Sequence, residues 1–186
     1  QRGEVHYKTA LFVRNHVLFS KHTRPINNVK IYGGMTNPLG TDYVYWRGFH
    51  KDAEERFWRN IFAGHAAARF HRPPSGLGLN HVTRHHIQSM RILTNEMDFY
   101  KHKPANELLM DREENEAFCM AIKEKEYAIY FTGKGEVSLN VAPGEYKVKW
   151  LQIRASQWSE PQIMKLPATL KTPSDGQWAV LIKRID

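Results

Sequence analysis

The sequence contains little that would anchor it or fix its compartment. Its single cysteine, Cys119, lies in the apolar run AFCMAI, so it cannot form an internal disulfide and is expected to fill space rather than react. No stretch approaches the roughly 18 to 20 apolar residues of a membrane span, and the start QRGEVHYK lacks the apolar core of a signal peptide. We therefore expect no membrane partner, while the redox compartment stays undetermined.

The sequence also lacks an excess of acidic residues, and its positive charge is unevenly spread along the chain. The 186 residues carry a net charge of +8, with a sequence pI near 9.6. Residues 1–112 hold 17 Lys and Arg against 9 Asp and Glu, and all ten histidines, whereas residues 113–186 hold ten basic and ten acidic residues. This asymmetry predicts two domains, 1–112 and 113–186, with the polar, cationic site in the first.

The first domain alternates helical and strand patterns. Apolar spacing predicts one helix over about residues 4–21, another that begins at a D-x-x-E capping box formed by Asp52 and Glu55 and ends near Gly64, and a third capped by Asn80. The residues predicted to face a core are Val5, Ala10, Val13 and Val17 in the first helix, Ala53, Phe57 and Ile61 in the second, and Val82, His86, Met90, Leu93, Met97 and Tyr100 in the third. Between these helices, INNVKIY and HAAARF predict short strands. The order helix, strand, helix, strand, helix is typical of parallel α/β structure.

From about residue 117 the apolar residues alternate with period two, which is typical of strands. The segments TGKGE and APGE have the composition of hairpin turns. We therefore predict a small antiparallel β-sandwich. The alternating residues are Tyr127, Ile129 and Phe131; Val137, Leu139 and Val141; Tyr146, Val148 and Trp150; and Trp178, Val180 and Ile182.

The candidate binding residues follow the two strands of the first domain. Two parallel strands and three helices cannot enclose a core, so this domain is predicted to be the tail of a larger α/β unit. In a (β/α)8 barrel the functional residues follow the carboxyl ends of the strands. That rule selects Lys30 and Tyr32 after the first strand, and Arg69, His71 and Arg72 after the second.

Two interpretations of Lys30 stay open. The residue marks the point where a buried strand emerges into a pocket, or it snorkels at the strand end while Tyr32 belongs to the core.

Three stretches, FWRNIFAGHAAARFHRP, HHIQSMRILTNEMDFYKHKPANELL and EYAIYFTGKGEVSLNVAPGEYKVKWLQIR, resemble the end of apiosidase-like glycoside hydrolases. The resemblance covers about residues 25–184. It implies an α/β plus all-β fold, with the last βα units of a (β/α)8 barrel followed by a small antiparallel β-sandwich catalogued as a collagenase-type collagen-binding domain. It makes INNVKIYG barrel strand seven and AAARFHRP strand eight. It also implies a secreted, periplasmic or cell-surface location. The expected partner is the remainder of the barrel, on a missing or separate polypeptide.

Such barrels hydrolyse glycosidic bonds with two carboxylates. The resemblance places the nucleophile at the end of strand seven, where this sequence has Val29 and Lys30, and the acid/base upstream of residue 1. Asp42 in the following loop is the nearest acid and the one candidate to replace the nucleophile. Because Lys and Arg side chains suit carboxylate and sulfate groups, an acidic or sulfated polysaccharide or oligosaccharide is the predicted ligand.

Other functions stay open. The missing carboxylate favours a non-catalytic glycan-binding protein or pseudo-enzyme, and the basic pI is compatible with nucleic-acid binding, although the basic residues are scattered and match no known motif. His81 and His85 have the i, i+4 spacing of zinc ligands but lack the glutamate of H-E-x-x-H. We predict a surface pair there, and neither a metal nor a cofactor.

Overall fold

The computed structural model describes residues 2–21, 23–33, 50–72 and 76–185. The chain divides into two compact units, residues 1–84 and 85–186. These units differ from the domains predicted from composition by the assignment of residues 85–112, and the division into a barrel part and a sandwich stays a prediction. None of the helices in the described residues is long and apolar enough to cross a membrane.

The first unit has the predicted order of helices and strands. It contains α1 (Arg2–Leu18), β1 (Asn27–Ile31), α2 (His50–Phe62), β2 (Ala67–Phe70) and the first residues of α3 (His81–Glu96). β1 and β2 pair in parallel, with Asn27 opposite Ala67 and Ile31 opposite Phe70. The carboxyl ends of the two strands therefore lie side by side.

α2 packs on the two-stranded sheet through its predicted apolar face. Ala53, Phe57 and Ile61 are all buried, and the ring of Phe57 stacks on Phe70 of β2 with centroids 4.9 Å apart. Gly64 follows the helix with a φ of +82°, in the left-handed region that glycine adopts without strain. The predicted helix and its predicted end are confirmed.

The apolar face predicted for α1 is right only in part. Ala10 is buried as predicted and Val17 is half-buried, whereas Val5 and Val13 are 63% and 41% exposed. Tyr7, which does not belong to the predicted face, is buried instead. The helix therefore turns a partly different face inward, because Tyr7 supplies more apolar surface to bury than the valines that fit the period. Phe12 remains 71% exposed on the outer face.

The predicted capping box at Asp52 and Glu55 is also wrong, because α2 begins two residues earlier, at His50. Both carboxylates instead bind Arg59, whose side chain is fully buried. Its Nη1 donates to Glu55 Oε2 at 2.8 Å and its Nη2 to Asp52 Oδ1 at 3.2 Å. Asp52 also pairs with Arg56 at 2.7 Å. Carboxylates one and two helical turns before Arg59 thus neutralise its guanidinium inside the unit.

We expect the substitution Arg59→Met to destabilise the chain by about 3 kcal/mol, since it leaves Glu55 without its buried counter-charge. The measurement is urea-induced unfolding. Lys51→Met is the matched control, because Lys51 lies 3.9 Å from Glu55 with its side chain 71% exposed and is expected to change the stability by less than about 0.5 kcal/mol. Equal effects of the two substitutions would contradict a structural role for the buried pair.

The long helix α3 begins and packs largely as predicted. Asn80 Oδ1 accepts a hydrogen bond from Thr83 N at 3.0 Å, so the predicted cap is confirmed. His86 and Leu93 are buried at 0% and 1% exposure, as expected for the inner face. Tyr100 was predicted on the same face but lies beyond the helix end and is 83% exposed.

The second unit contains an eight-stranded sheet. Its main path runs β3–β5–β6–β10–β7–β4, and β8 and β9 pair with β7; the assigned pairs are antiparallel. On the opposite face from the main core, Ser89 of α3 donates to Ile153 O at 2.6 Å and Lys149 donates to both carboxylate oxygens of Glu96 at 2.8 Å. The strands are β3 (Lys103–Pro104), β4 (Leu109–Met110), β5 (Ala117–Ile122), β6 (Glu126–Phe131), β7 (Glu136–Gln152), β8 (Gln157–Trp158), β9 (Gln162–Lys171) and β10 (Trp178–Arg184).

The period-two residues form the core of this unit as predicted. Every alternating residue named above belongs to one buried cluster, except Val141, which packs against it half-buried. Cys119 is buried in the same cluster, and burial raises the pKa of its thiol, which agrees with a space-filling role.

Both predicted hairpin turns are wrong. TGKGE joins β6 to β7, which pair with other strands and not with each other, and APGE lies inside the continuous strand β7. The register of β7 against β9 shifts between Leu139 and Gly144, and Tyr146 Oη donates to Ala142 O at 2.8 Å across this irregularity. A bulge therefore absorbs the Pro-Gly pair that the sequence pattern assigned to a turn.

Candidate functional site

The parallel pairing of β1 and β2 brings two predicted residues together. Tyr32 directly follows β1 and His71 directly follows β2, and their ring centroids lie 4.8 Å apart with planes inclined by 39°. His71 N donates to Ile31 O at 2.9 Å, which extends the parallel ladder by one residue. An aromatic ring and an imidazole thus meet at the carboxyl edge of the sheet.

The backbone on both sides of this pair is fixed. His71 O accepts a hydrogen bond from Gly78 N at 2.8 Å. A Cβ added to Gly76 would lie 2.2 Å from His71 O, so this close approach requires glycine. Gly33, after Tyr32, is buried with a φ of +122°. Because these constraints act on the main chain, the two side chains can be changed without removing them.

The other predicted residues are distributed as follows. Arg69 lies on β2 and Arg72 follows it, and both side chains are exposed. Arg69 forms no ion pair with another described residue. Asp42, the candidate nucleophile, lies outside the described residues. Two exposed arginines therefore lie within two residues of His71 along the chain.

Lys30 lines a separate cavity. The cavity has a volume of about 350 Å³ and lies between α1 and β1; its lining includes none of the other four predicted binding residues. Lys30 is an exposed residue of a strand in which only Ile31 is buried, so the choice between the two interpretations of Lys30 stays a prediction. The cavity that it lines is not the space beside Tyr32 and His71. The polar neighbours of Lys30 in the cavity are His6, Thr9, Asn27, Asn28, Asn60 and His65.

Two histidines of this cavity were missed in the sequence because no motif joins a residue of α1 to one that follows α2. Burial, assisted by Arg59 and Arg56, lowers the pKa of His6 to about 4, and burial lowers that of His65. His65 Nε2 lies 3.0 Å from Ala10 O. The Nδ1 atoms of both rings make no hydrogen bond with a described residue. Both imidazoles are therefore neutral near pH 7.

The depressed pKa of His6 makes stability depend on pH. Below pH 6.5 His6 binds a proton in the unfolded chain but stays neutral in the folded chain, so the free energy of unfolding falls as the pH drops towards about 4. We expect His6→Gln to lose about 1 to 2 kcal/mol less than the parent between pH 7 and pH 5. Urea unfolding at the two pH values measures this difference. His81→Gln, a substitution at an exposed histidine, is the control. If the stability of His6→Gln depends on pH as that of the parent does, a neutral buried His6 is contradicted.

The edge formed by Tyr32, His71 and the two arginines is suited to binding a saccharide. An aromatic ring can pack on the C–H face of a sugar, while phenol and imidazole groups exchange hydrogen bonds with hydroxyls. Exposed guanidinium groups can bind a carboxylate through two parallel hydrogen bonds. Residues 27–33, 67–72 and 76–80 include no Asp or Glu, so the described part of this edge supplies binding groups and no carboxylate.

A metal centre has no support in the described part of the chain. His81 and His85 are both exposed, and no group of three or more His, Cys, Asp or Glu side chains there could hold an ion.

The fold can be compared with solved structures. The crystal structure of a glycoside hydrolase family 5 from Bacteroides vulgatus ATCC 8482 matches 96% of this chain and 45% of its own length, with a TM-score of 0.69 at 12% identity. A second structure, named as a glycoside hydrolase, matches 96% of this chain and 46% of its own, with a TM-score of 0.70 at 11% identity. The backbone of this chain is similar to part of each of these two structures. The chain spans less than half the length of these two glycoside hydrolases.

At this identity the likeness establishes a mixed α/β fold with a large antiparallel sheet. No family model and no curated protein matches the chain. The likeness to glycoside hydrolases therefore rests on the comparison of backbone structures.

We expect Tyr32→Ala and His71→Ala each to weaken oligosaccharide binding about tenfold, because each removes one contact surface while the glycine contacts and ladder hydrogen bonds remain. Isothermal titration with neutral and acidic oligosaccharides measures this. Phe12→Ala is the matched control, since Phe12 is an exposed aromatic residue of the same unit on α1. Unchanged affinity in both site variants would contradict the assignment of this edge.

Proposed function

We propose that the protein is a glycoside hydrolase-like protein that acts on or binds a polysaccharide carrying carboxylate or sulfate groups. The observation that carries the proposal is the position of the Tyr32–His71 pair, at the carboxyl ends of parallel strands in a chain whose backbone matches glycoside hydrolases. In α/β barrels that edge holds the functional residues. The exposed Arg69 and Arg72 favour an anionic ligand over a neutral one.

Hydrolysis in this proposal requires two carboxylates, one as acid/base and one as nucleophile or base. The described ends of β1 and β2 supply neither. Asp42, or acids on the remainder of the barrel, would therefore complete the chemistry, while Tyr32, His71 and the arginines would position the sugar. A lysine at the nucleophile position would place a positive charge where positive charge develops, so Lys30 cannot replace the nucleophile in this scheme.

The remainder of the barrel is the partner that the first unit fits. Among the described residues, β1 pairs with β2 alone, and Val29 on β1 is 45% exposed. Phe12 on α1 and Phe19 directly after the helix are 71% and 90% exposed. In the proposed assembly a further parallel strand would pair with the free edge of β1, and its helix would cover the apolar face of α1.

A non-catalytic glycan-binding protein is the second candidate. The observation that favours it is the pair Val29 and Lys30 at the strand end where the resemblance expects a carboxylate. In this case the same edge would bind an oligosaccharide without turnover.

The test is the release of reducing sugar from a panel of neutral and acidic polysaccharides, with the intact mass of the purified protein measured first. The first candidate predicts release from an acidic polysaccharide, and loss of release in Asp42→Asn if that residue acts as nucleophile. Binding of an acidic oligosaccharide without release, by a preparation that contains only the 21.7 kDa chain, would favour the second candidate. Neither binding nor release with any member of the panel would overturn both.

A further inference from the structure

A second concave surface lies within the second unit, and none of the residues selected from the sequence belongs to it. It has a volume of about 510 Å³, within the range of about 300 to 1,000 Å³ that small-molecule sites occupy. Three lysines, Lys101, Lys103 and Lys123, form its rim. Its floor is Pro104, Ala105, Ala121 and Ile122. We call this surface the lysine groove.

The register of the sheet explains why the lysines converge. Lys103 on β3 pairs opposite Ala121 on β5, and Lys123 follows Ala121 by two residues. Since residues directly opposite in an antiparallel pair project from the same face, Lys103 and Ala121 share one face. Lys123 lies in the turn directly after β5, at the end of that face. Ala105 and Ala121 are nearly fully buried at 2% and 3% exposure, so the exposed apolar surface of the floor comes mainly from the half-buried Pro104 and Ile122.

The lysines of the groove are only partly neutralised by neighbouring acids. Lys101 Nζ lies 2.6 Å from Asp98, which raises its pKa. Lys123 Nζ lies 3.7 Å from Glu107, with the two side chains 73% and 61% exposed, so water screens this pair and a ligand can replace it at little cost. Lys103 is exposed and forms no ion pair with another described residue. The groove therefore carries a net positive charge over an apolar floor.

This combination fits a ligand that has an apolar face and anionic substituents. A uronate or a sulfated sugar has both, because its ring C–H groups can cover the apolar floor while its carboxylate or sulfate meets the ammonium groups. A simple inorganic anion would use the lysines and leave the floor in contact with water.

We propose that the lysine groove is a second saccharide-binding site, which takes one sugar unit bearing a carboxylate or sulfate. The choice of a saccharide rests on the proposed function, whereas the anionic character of the ligand rests on the groove itself. Such a site would hold the protein on an acidic polysaccharide independently of the Tyr32–His71 edge.

The test is calorimetric titration of the full chain with trigalacturonate, with a heparin-derived trisaccharide, with neutral cellotriose and with inorganic sulfate. The double variant Lys103→Ala/Lys123→Ala removes two charges from the rim. Lys165→Ala is the matched control, because Lys165 is an exposed lysine of β9 that does not line the groove. Tyr32→Ala in each background separates binding at the groove from binding at the other edge.

In the Tyr32→Ala background, the double variant is expected to bind the better of the two anionic trisaccharides about tenfold more weakly, and Lys165→Ala within about twofold of its parent. Binding should weaken as NaCl is raised. Equal binding by the double variant, equal binding of cellotriose, or sulfate binding as tight as that of the trisaccharide would each overturn the proposal. Release of reducing sugar by the double variant is measured in parallel, so a failure of the proposed function is distinguished from a failure of the groove.

Discussion

The parallel pairing of β1 with β2 is the interaction on which the candidate site depends. It aligns the ends of the two strands so that Tyr32 and His71 lie with ring centroids 4.8 Å apart, and the ladder continues through the hydrogen bond from His71 N to Ile31 O. The pairing in turn depends on α2, which packs Phe57 on Phe70 and carries the buried Arg59 between its own two carboxylates. The proposed saccharide site at this edge thus depends on one helix and two short strands.

The two units recruit positive charge in different ways. In the first, arginines exposed on and after β2 flank an aromatic pair at a strand end. In the second, sheet register places lysines around an apolar floor. The Tyr32–His71 edge and the lysine groove are each formed by residues of a single unit, so neither needs the other for its shape. A polymer with repeated anionic groups is the ligand class that both proposed sites would accept.

The period of the apolar residues predicted the helices and strands, whereas individual side-chain contacts determined which faces are buried and where turns and caps form. The strands and helices of the first unit and the alternating core of the sheet follow from apolar spacing, since burial on one face imposes that spacing. The face of α1 did not follow, because Tyr7 competes with two valines for burial. APGE did not form a turn because a bulge in β7 accommodates it, and the capping box failed because Asp52 and Glu55 bind Arg59 instead. At the candidate site, the rule that functional residues follow strand ends selected Tyr32 and His71, which the structure brings together. The lysine groove could not be predicted, because it depends on the pairing of β3 with β5, and a strand of two residues has no recognisable pattern in the sequence.

The most direct measurement of the central claim is the mapping of oligosaccharide binding onto individual backbone amides by nuclear magnetic resonance, with an oligogalacturonate added to the labelled chain. The account predicts that the largest shifts in the first unit fall on residues 31–33 and 70–72, together with Gly76 and Gly78, which touch His71. Saturable shifts that leave all of these amides unchanged would contradict the placement of a saccharide site at the ends of β1 and β2.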